Sequence, residues 1–351
     1  MTTIQVNAEH TYNVVIGCEW KSELLALTKN RSRVAVIYST AMREMIRFDA
    51  NAEAEFHFFE VSDGESAKNV STLSSLWNWL GAAGFTRSDV IVGIGGGAIT
   101  DLSGFAAATW LRGIDWIAIP TSVAGMVDAS VGGKTGINSD YGKNLIGAFH
   151  SPISVLIDLD WLPTLSDRDF SAGMAEVIKS GFIKDGEILS TLAGNSLTTL
   201  RSNLSMVSNL IARSVHVKAD VVGEDFKESF AREVLNYGHT LGHAIEIHSH
   251  YSLRHGEAVS IGLVYAAELA HARGLLSEQT LNQHRELLTA LMLPISYDAS
   301  AWPALWPLLA LDKKTRGAQL RFVVIDAIGS TLRLEDLNES ELRSAYERIS
   351  A

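Results

Sequence analysis

Two histidines four residues apart, His239 and His243, stand in the stretch Tyr237-Gly238-His239-Thr240-Leu241-Gly242-His243. On a helix that spacing puts both imidazoles on one face, about one turn apart. His255 follows in Arg254-His255-Gly256-Glu257, and Glu176 lies upstream in the otherwise apolar run Gly173-Met174-Ala175-Glu176-Val177-Ile178-Lys179. A His2Glu set with an open fourth position is a common catalytic zinc arrangement. Spacing alone nominates His239 and His243 as ligands. The alternative is a pair of exposed or core histidines, and His248 and His250 compete for the role. His10, His57, His150, His216, His271 and His284 belong to no such cluster.

A second signal is the glycine run Gly93-Ile94-Gly95-Gly96-Gly97-Ala98, which fits G-x-G-x-x-A between a strand pattern and a helix pattern. Glycines there let the backbone approach a pyrophosphate, and the helix start supplies N–H groups and positive dipole. The usual partner is an acid at the end of the next strand, about 20 residues on. Asp115 lies at that distance but opens the strand, which ends in Pro120-Thr121-Ser122. The run therefore reads as a variant dinucleotide site, with a tight turn that binds nothing as its alternative.

Basic residues form a third signal. Arg112, Lys134, Lys143, Lys179, Lys218, Arg232, Lys313 and Lys314 sit in or beside glycine-rich or apolar segments. Such groups suit a phosphate or carboxylate, although each taken singly suits a solvated side chain or a structural ion pair. Val131-Gly132-Gly133-Lys134-Thr135-Gly136 resembles the end of a P-loop, but Asp128 occupies the place of the first glycine. A carboxylate there would repel a nucleotide phosphate, which disfavours an NTPase.

Around these residues the first half alternates Val- and Ile-rich runs with helical patterns. TIQVNAEHTYNVVIG reads as an opening hairpin, and SRVAVIYS, AEFHFFEV, DVIVGIGGG, DWIAIP and ISVLIDLD read as strands. Alternation of this kind implies βαβ units and a mostly parallel sheet. From about Ser171 the patterns are helical, with RFVVIDAIG as the one later strand candidate. The expected organisation is a Rossmann-like variant α/β domain over 1–166 and a mostly helical domain over 167–351, with the ligand site in the cleft between them.

Composition sets bounds on this picture. In 351 residues, 29 Lys and Arg face 40 Asp and Glu, a formal net charge of −11, which argues against a nucleic-acid footprint. The single cysteine, Cys18, allows no intrachain disulfide and no cysteine-based metal cluster. The opening residues lack the basic start and apolar run of a signal peptide. The longest apolar stretch, Ala258 to Ala267, is too short to span a membrane. A cytoplasmic location is the expectation.

Taken together the motifs resemble those of the 3-dehydroquinate synthases, NAD- and divalent-metal-dependent cyclases of the shikimate pathway. The resemblance runs from about Ser62 to Val324. It is carried by DGESAK, GGGAITDLSGF, LRGI, MVDASVGGKTGIN, GKNLIGAF, AGMAEVIK, REVLNYGHTLGHAIE, HGEAVSIG and DKKTRG. It implies Glu176, His239 and His255 as ligands of one Zn or Co ion, with His243 as an acid/base group instead of a ligand. For NAD it implies Glu65, Lys68, Gly95, Gly96, Gly97, Asp101, Thr121, Ser122, Lys143 and Thr164. Substrate contacts would be Asp128, Lys134, Asn144, Lys179, Lys218, Arg232, Asn236 and His243, with Lys313 or Lys314. Of these, His243, Lys179, Asn236, Lys134 and Asp128 would be catalytic. Arg112 would reach the phosphate site of a neighbouring subunit, which implies a homodimer. Two departures stand out: Thr121-Ser122 where many relatives have Thr-Thr, and no Asp near Ser39-Thr40, where many relatives place an adenosine contact.

The implied reaction converts 3-deoxy-D-arabino-heptulosonate 7-phosphate to 3-dehydroquinate and phosphate. Hydride leaves C5 for NAD+, the C6 proton is lost, phosphate is eliminated and the hydride returns. Ring opening and an aldol closure follow, so the net reaction is a phosphorus–oxygen lyase step. Competing readings are a sister sugar-phosphate cyclase, a polyol dehydrogenase of the glycerol dehydrogenase type, and a non-catalytic NAD-binding sensor. Lys218 and Asn236 disfavour the first, Lys134, Asn144 and Arg232 the second, and the ligand set beside His243 and Lys179 the third.

Overall fold

The central Val- and Ile-rich runs, flanked by turn residues, form strands whose side chains are buried on both faces, as a parallel sheet covered by helices requires. The computed structural model describes residues 1–46, 53–315 and 320–351, the side chains of 310–315 excepted. The strands are β1 (Thr2–Asn7), β2 (Thr11–Ile16), β3 (Arg33–Ser39), β4 (Glu55–Val61), β5 (Val90–Gly95), β6 (Asp115–Pro120), β7 (Lys134–Ser139), β8 (Gly142–Phe149), β9 (Ser154–Ile157), β10 (Phe322–Ala327) and β11 (Ser330–Leu334). The first helices are α1 (Trp20–Thr28), α2 (Val70–Ala82), α3 (Gly97–Thr109), α4 (Asp167–Ile183), α5 (Gly186–Leu192) and α6 (Leu197–Arg201). The rest are α7 (Leu204–Glu224), α8 (His239–His248), α9 (His255–Ala272), α10 (Glu278–Ala290), α11 (Trp302–Thr315) and α12 (Glu339–Glu347).

The chain divides into two compact units, Met1–Thr164 with Lys218–Lys227, and Leu165–Val217 with Glu228–Ala351. Nothing in the sequence pattern marks the return of Lys218–Lys227 to the first unit. That unit holds a seven-stranded sheet in the order β1-β2-β9-β6-β5-β3-β4. Only the β1–β2 hairpin is antiparallel; β2 through β9, β6, β5 and β3 to β4 all pair in parallel. The chain steps from β3 outward to β4, then returns to the other side of β3 for β5 and β6. Such a reversal opens a crevice at the carboxyl ends of the strands, where α/β sheets bind ligands. The glycine run closes β5 at that end and opens α3.

Two hairpins lie outside the sequence-based expectation. Lys134 opens β7, which pairs antiparallel with β8, so it does not stand at a helix N-terminus as a P-loop lysine would. RFVVIDAIG is joined by a second late strand, so β10–β11 is a hairpin and not a lone strand.

In the second unit α4 is buried from Phe170 to Ile183 and α9 from Gly256 to Ala270. Helices apolar all round belong at the centre of a bundle. Glycines set how closely they pack. A β-carbon at Gly256 would overlap the carbonyl oxygen of Ala172 on α4, and one at Gly262 would overlap the carbonyl oxygen of Gly238 at the start of α8. Gly238 itself has φ +78°, a conformation that favours glycine.

Gly262→Ala is expected to force α8 from α9 and to destabilise the protein by about 1–3 kcal/mol, the usual cost of overpacking. A melting temperature equal to that of the unaltered protein would show that the two helices tolerate the added methyl.

Candidate functional site

Glu176 stands in the middle of α4 and is only 2% exposed. A carboxylate so placed needs counter-charge. Lys179, three residues on and equally buried, places Nζ against Glu176 Oε2. The other oxygen, Oε1, makes no hydrogen bond among the described residues. It lies 3.6 Å from His239 Nε2 and 3.4 Å from His255 Nε2. One donor atom each from Glu176, His239 and His255 falls within 4.8 Å of the others.

The outer nitrogens of both rings are engaged. His239 Nδ1 is 3.1 Å from the carbonyl oxygen of Tyr237, and His255 Nδ1 is 3.2 Å from Glu246 Oε2. A carbonyl can only accept, so in His239 the proton sits on Nδ1 and the Nε2 lone pair faces Glu176. An outward N–H on a carbonyl or carboxylate is the usual support of a metal-bound imidazole. An orphaned carboxylate oxygen and two oriented imidazoles fit a divalent ion of the Zn or Co kind.

The electrostatics agree with that fit. Burial, with Lys179 opposite, holds His239 well below its ordinary value, in the neutral form that a ligand needs. Burial would raise the Glu176 carboxyl, but Lys179 and the imidazoles outweigh it and hold the group well below the carboxylate range. Burial also lowers His255, yet the Glu176 and Glu246 carboxylates beside it push it up to about 10. Without an ion, a proton holds that place.

His243 lies on the same face of α8, its ring centroid 5.3 Å from that of His239 and 6.1 Å from that of His255. It is exposed, while His239 is buried. Arg232, 1% exposed, and Asn236 lie in the short turn before α8, with Asn236 Nδ2 3.4 Å from Glu228 Oε1.

In the first unit Gly95, Gly96 and Gly97 make the turn from β5 into α3. A β-carbon at Gly95 would come within 2.6 Å of the Ile99 side chain, and no side chain caps the helix start. The amides there stay open to an anion. Thr121 N donates to Gly95 O at 2.9 Å, and Ser122 Oγ accepts from Gly125 N at 3.2 Å. Lys68, 3% exposed, bonds Asp101 Oδ2 at 2.6 Å and Asn144 Oδ1 at 2.5 Å, with Glu65 at 3.6 Å. Thr164 Oγ1 donates to Trp161 O. Lys218 Nζ is 2.5 Å from Asp128 Oδ1, and Asp128 stands on a single wide turn, Gly125–Ala129. Wide turns of this type gather at functional sites. Lys134 is exposed and Lys143 half-buried. Leu111 and Arg112 both have positive φ, 49° and 69°. Two successive residues in that region carry strain of the kind that clusters at functional sites. Asp115 pairs with Arg31 at 2.5 Å at the far end of β6, away from the glycine turn.

Residues 58–172 match the model of the 3-dehydroquinate synthase N-terminal region, and residues 173–315 match that of the C-terminal region. A curated 3-dehydroquinate synthase of Thermobifida fusca (strain YX) is 49% identical over 100% of this chain and 97% of its own. The chain belongs to the 3-dehydroquinate synthase family. Two solved cyclases share the fold. One is a 2-epi-5-epi-valiolone synthase from Streptomyces hygroscopicus subsp. jinggangensis 5008 with NAD+ and Zn2+ bound. It has a TM-score of 0.89 and is 28% identical, over 99% of this chain and 98% of that one. The other is a 2-deoxy-scyllo-inosose synthase complexed with carbaglucose-6-phosphate, NAD+ and Co2+. It has a TM-score of 0.86 and is 25% identical, over 99% and 100%.

Within this member of the family the structure brings Glu176, Lys179, His239, His243 and His255 together, and separately Glu65, Lys68, Asp101 and Asn144. Lys313 and Lys314 lie outside the described side chains. Sequence reasoning passed over Glu246, although it stands three residues after His243 on the same helix, and Asn138, which joins Glu65 to Asn144. Thr40 donates to Glu60 and to the carbonyl of Val61. No helix among the described residues is long and apolar enough to cross a membrane.

Because the His255 proton must leave before its nitrogen can bind an ion, Zn2+ loading of metal-stripped protein at pH 8 is expected to release about one proton per ion. Affinity should rise with pH up to about 10. Calorimetry in buffers of different ionisation enthalpy reads the number, and a value of zero would contradict the placement.

Proposed function

We propose that the protein carries out the 3-dehydroquinate synthase reaction, converting 3-deoxy-D-arabino-heptulosonate 7-phosphate to 3-dehydroquinate and phosphate. The observation that carries this reading is the convergence of Glu176, His239 and His255 in a chain 49% identical, end to end, to a curated synthase. When bound, NAD+ would supply transient hydride acceptance at C5, and a divalent ion held by Glu176, His239 and His255 would supply Lewis-acid polarisation of neighbouring oxygens.

The remaining work falls to side chains. Arg232 grips the substrate carboxylate in a bidentate pair, and Lys218 adds charge. Lys134, Asn144 and His243 hold the phosphate, joined by Arg112 of a second copy in a homodimer. Lys179 balances Glu176 and donates to a substrate hydroxyl, with Asn236 and Asp128 orienting the ring. His243, exposed and one turn from His239, exchanges protons at the reacting carbons, and the departing phosphate itself accepts the C6 proton. The glycine turn at Gly95–Gly97 receives the pyrophosphate of NAD+, beside Glu65, Lys68, Asp101, Thr121, Ser122, Lys143 and Thr164.

The test is phosphate release from the heptulosonate phosphate, with and without NAD+ and a divalent ion. Release that requires both supports the reading. Net NADH accumulation with a simple polyol, and no phosphate release, would refute it.

His243→Ala is expected to keep its metal while kcat falls about 10²–10⁴-fold, the range for a general acid–base group. His255→Ala is expected to lose both metal and turnover. Metal analysis beside kinetics checks the pair, and metal lost from the His243 variant but kept by the His255 variant would reverse the assignment.

A further inference from the structure

His255 belongs to two donor sets. One is Glu176, His239 and His255; the other is His243, Glu246 and His255, whose donor atoms also lie within 4.8 Å of one another. We infer that the second set is an outer divalent-cation site through which an ion passes on its way to the first. The inference rests on the proposed reading of Glu176, His239 and His255 as the resident metal site.

Burial orders the two sets. Glu176 and His239 are buried, so an ion cannot reach them directly from water with its hydration shell intact. His243 is exposed, and Glu246 stands one turn further along α8 at 4% exposure. An ion arriving from solvent meets exposed His243 and half-buried His255 before it meets Glu176 or His239. Imidazole nitrogen and carboxylate oxygen are donors that suit the same ions as the inner set.

The shared imidazole joins the two positions. Its Nδ1 faces Glu246 Oε2 at 3.2 Å, and its Nε2 faces Glu176 Oε1 at 3.4 Å. The His255 ring centroid is 5.2 Å from that of His239 and 6.1 Å from that of His243. An ion on the outer set binds Nδ1 and leaves the Nε2 proton toward Glu176. On the inner set it binds Nε2, and the remaining proton sits on Nδ1 toward Glu246. In either position the idle carboxylate holds the N–H. To pass inward the ion leaves Nδ1 before it meets Nε2, and the ring proton moves the other way, from the Glu176 side to the Glu246 side. Once the ion is inside, Glu246 orients the His255 ring. A second ion is then held poorly, because the first repels it and His255 Nδ1 carries a proton.

The experiment is stopped-flow uptake of Co2+ by the full-length, metal-stripped protein, followed by its visible absorption, with release measured by chelator chase. In His243→Ala, uptake and release are both expected to slow by about tenfold or more, the effect of removing one metal-supporting group, with the dissociation constant unchanged. His243→Asp, which restores a donor, is expected to recover uptake without recovering turnover. Uptake in His243→Ala as fast as in the unaltered protein overturns the inference and leaves the inner site standing. So does a failure of His243→Asp to recover uptake, since the defect is then not one of coordination. A dissociation constant that rises in His243→Ala makes His243 a resident ligand and overturns the inner-site reading as well.

Discussion

A carboxylate in the middle of an apolar helix is the constraint on which the second unit is built. Glu176 has almost no access to water, and an unpaired charge there would cost several kcal/mol. Lys179 answers one oxygen. The other faces only imidazoles, which are poor counter-charges while neutral. A divalent cation there would satisfy that oxygen and use both ring nitrogens. Without one, a proton on His255 takes its place, in keeping with the raised affinity of His255 for that proton. The geometry demands that α4, α8 and α9 approach closely, and the glycines at 238, 256 and 262 allow it. Packing and site geometry are therefore one requirement: residues that look like spacing devices set where the imidazole nitrogens of α8 and α9 point.

The first unit answers a different need with backbone. Its glycine turn follows β5, beside the reversal in strand order, and not the first strand of the sheet. Uncapped amides at the start of α3 would suit an anion without spending a basic side chain. The lysines are kept for other partners: Lys68 is tied to Asp101, and Lys218 to Asp128. In a chain with net charge −11, cations held by buried or half-buried acids are positioned ones.

Most of the fold was legible because hydrophobic period marks elements strongly. The opening hairpin, the parallel strands and the long apolar helices all follow from Val- and Ile-rich runs and turn residues. The two hairpins that escaped have reasons. β7–β8 is rich in glycine and polar residues, and much of β8 is exposed, so no alternation signals it. β11 is short and only its last residue is buried. The return of Lys218–Lys227 to the first unit is a tertiary fact with no local signature. At the site, HxxxH spacing pointed to α8, but of its two histidines only His239 shares a donor set with Glu176, while His243 falls in a second set with Glu246. His239 and His243 do share a face, but the third donor comes from α9, thirteen positions after Gly242, and helical spacing cannot report a contact between helices. Family motifs nominated His255 where spacing could not. Glu246 was missed because an acid that supports a ligand looks, in sequence, like any surface Glu.

The central claim is that Glu176, His239 and His255 hold one ion. A crystal structure of the Zn2+-loaded protein, with anomalous scattering collected at the zinc edge, tests it most directly. A single strong peak bonded to Glu176 Oε1, His239 Nε2 and His255 Nε2 is the expected result. A peak bonded to His239 and His243, with Glu176 left facing Lys179 alone, would contradict it.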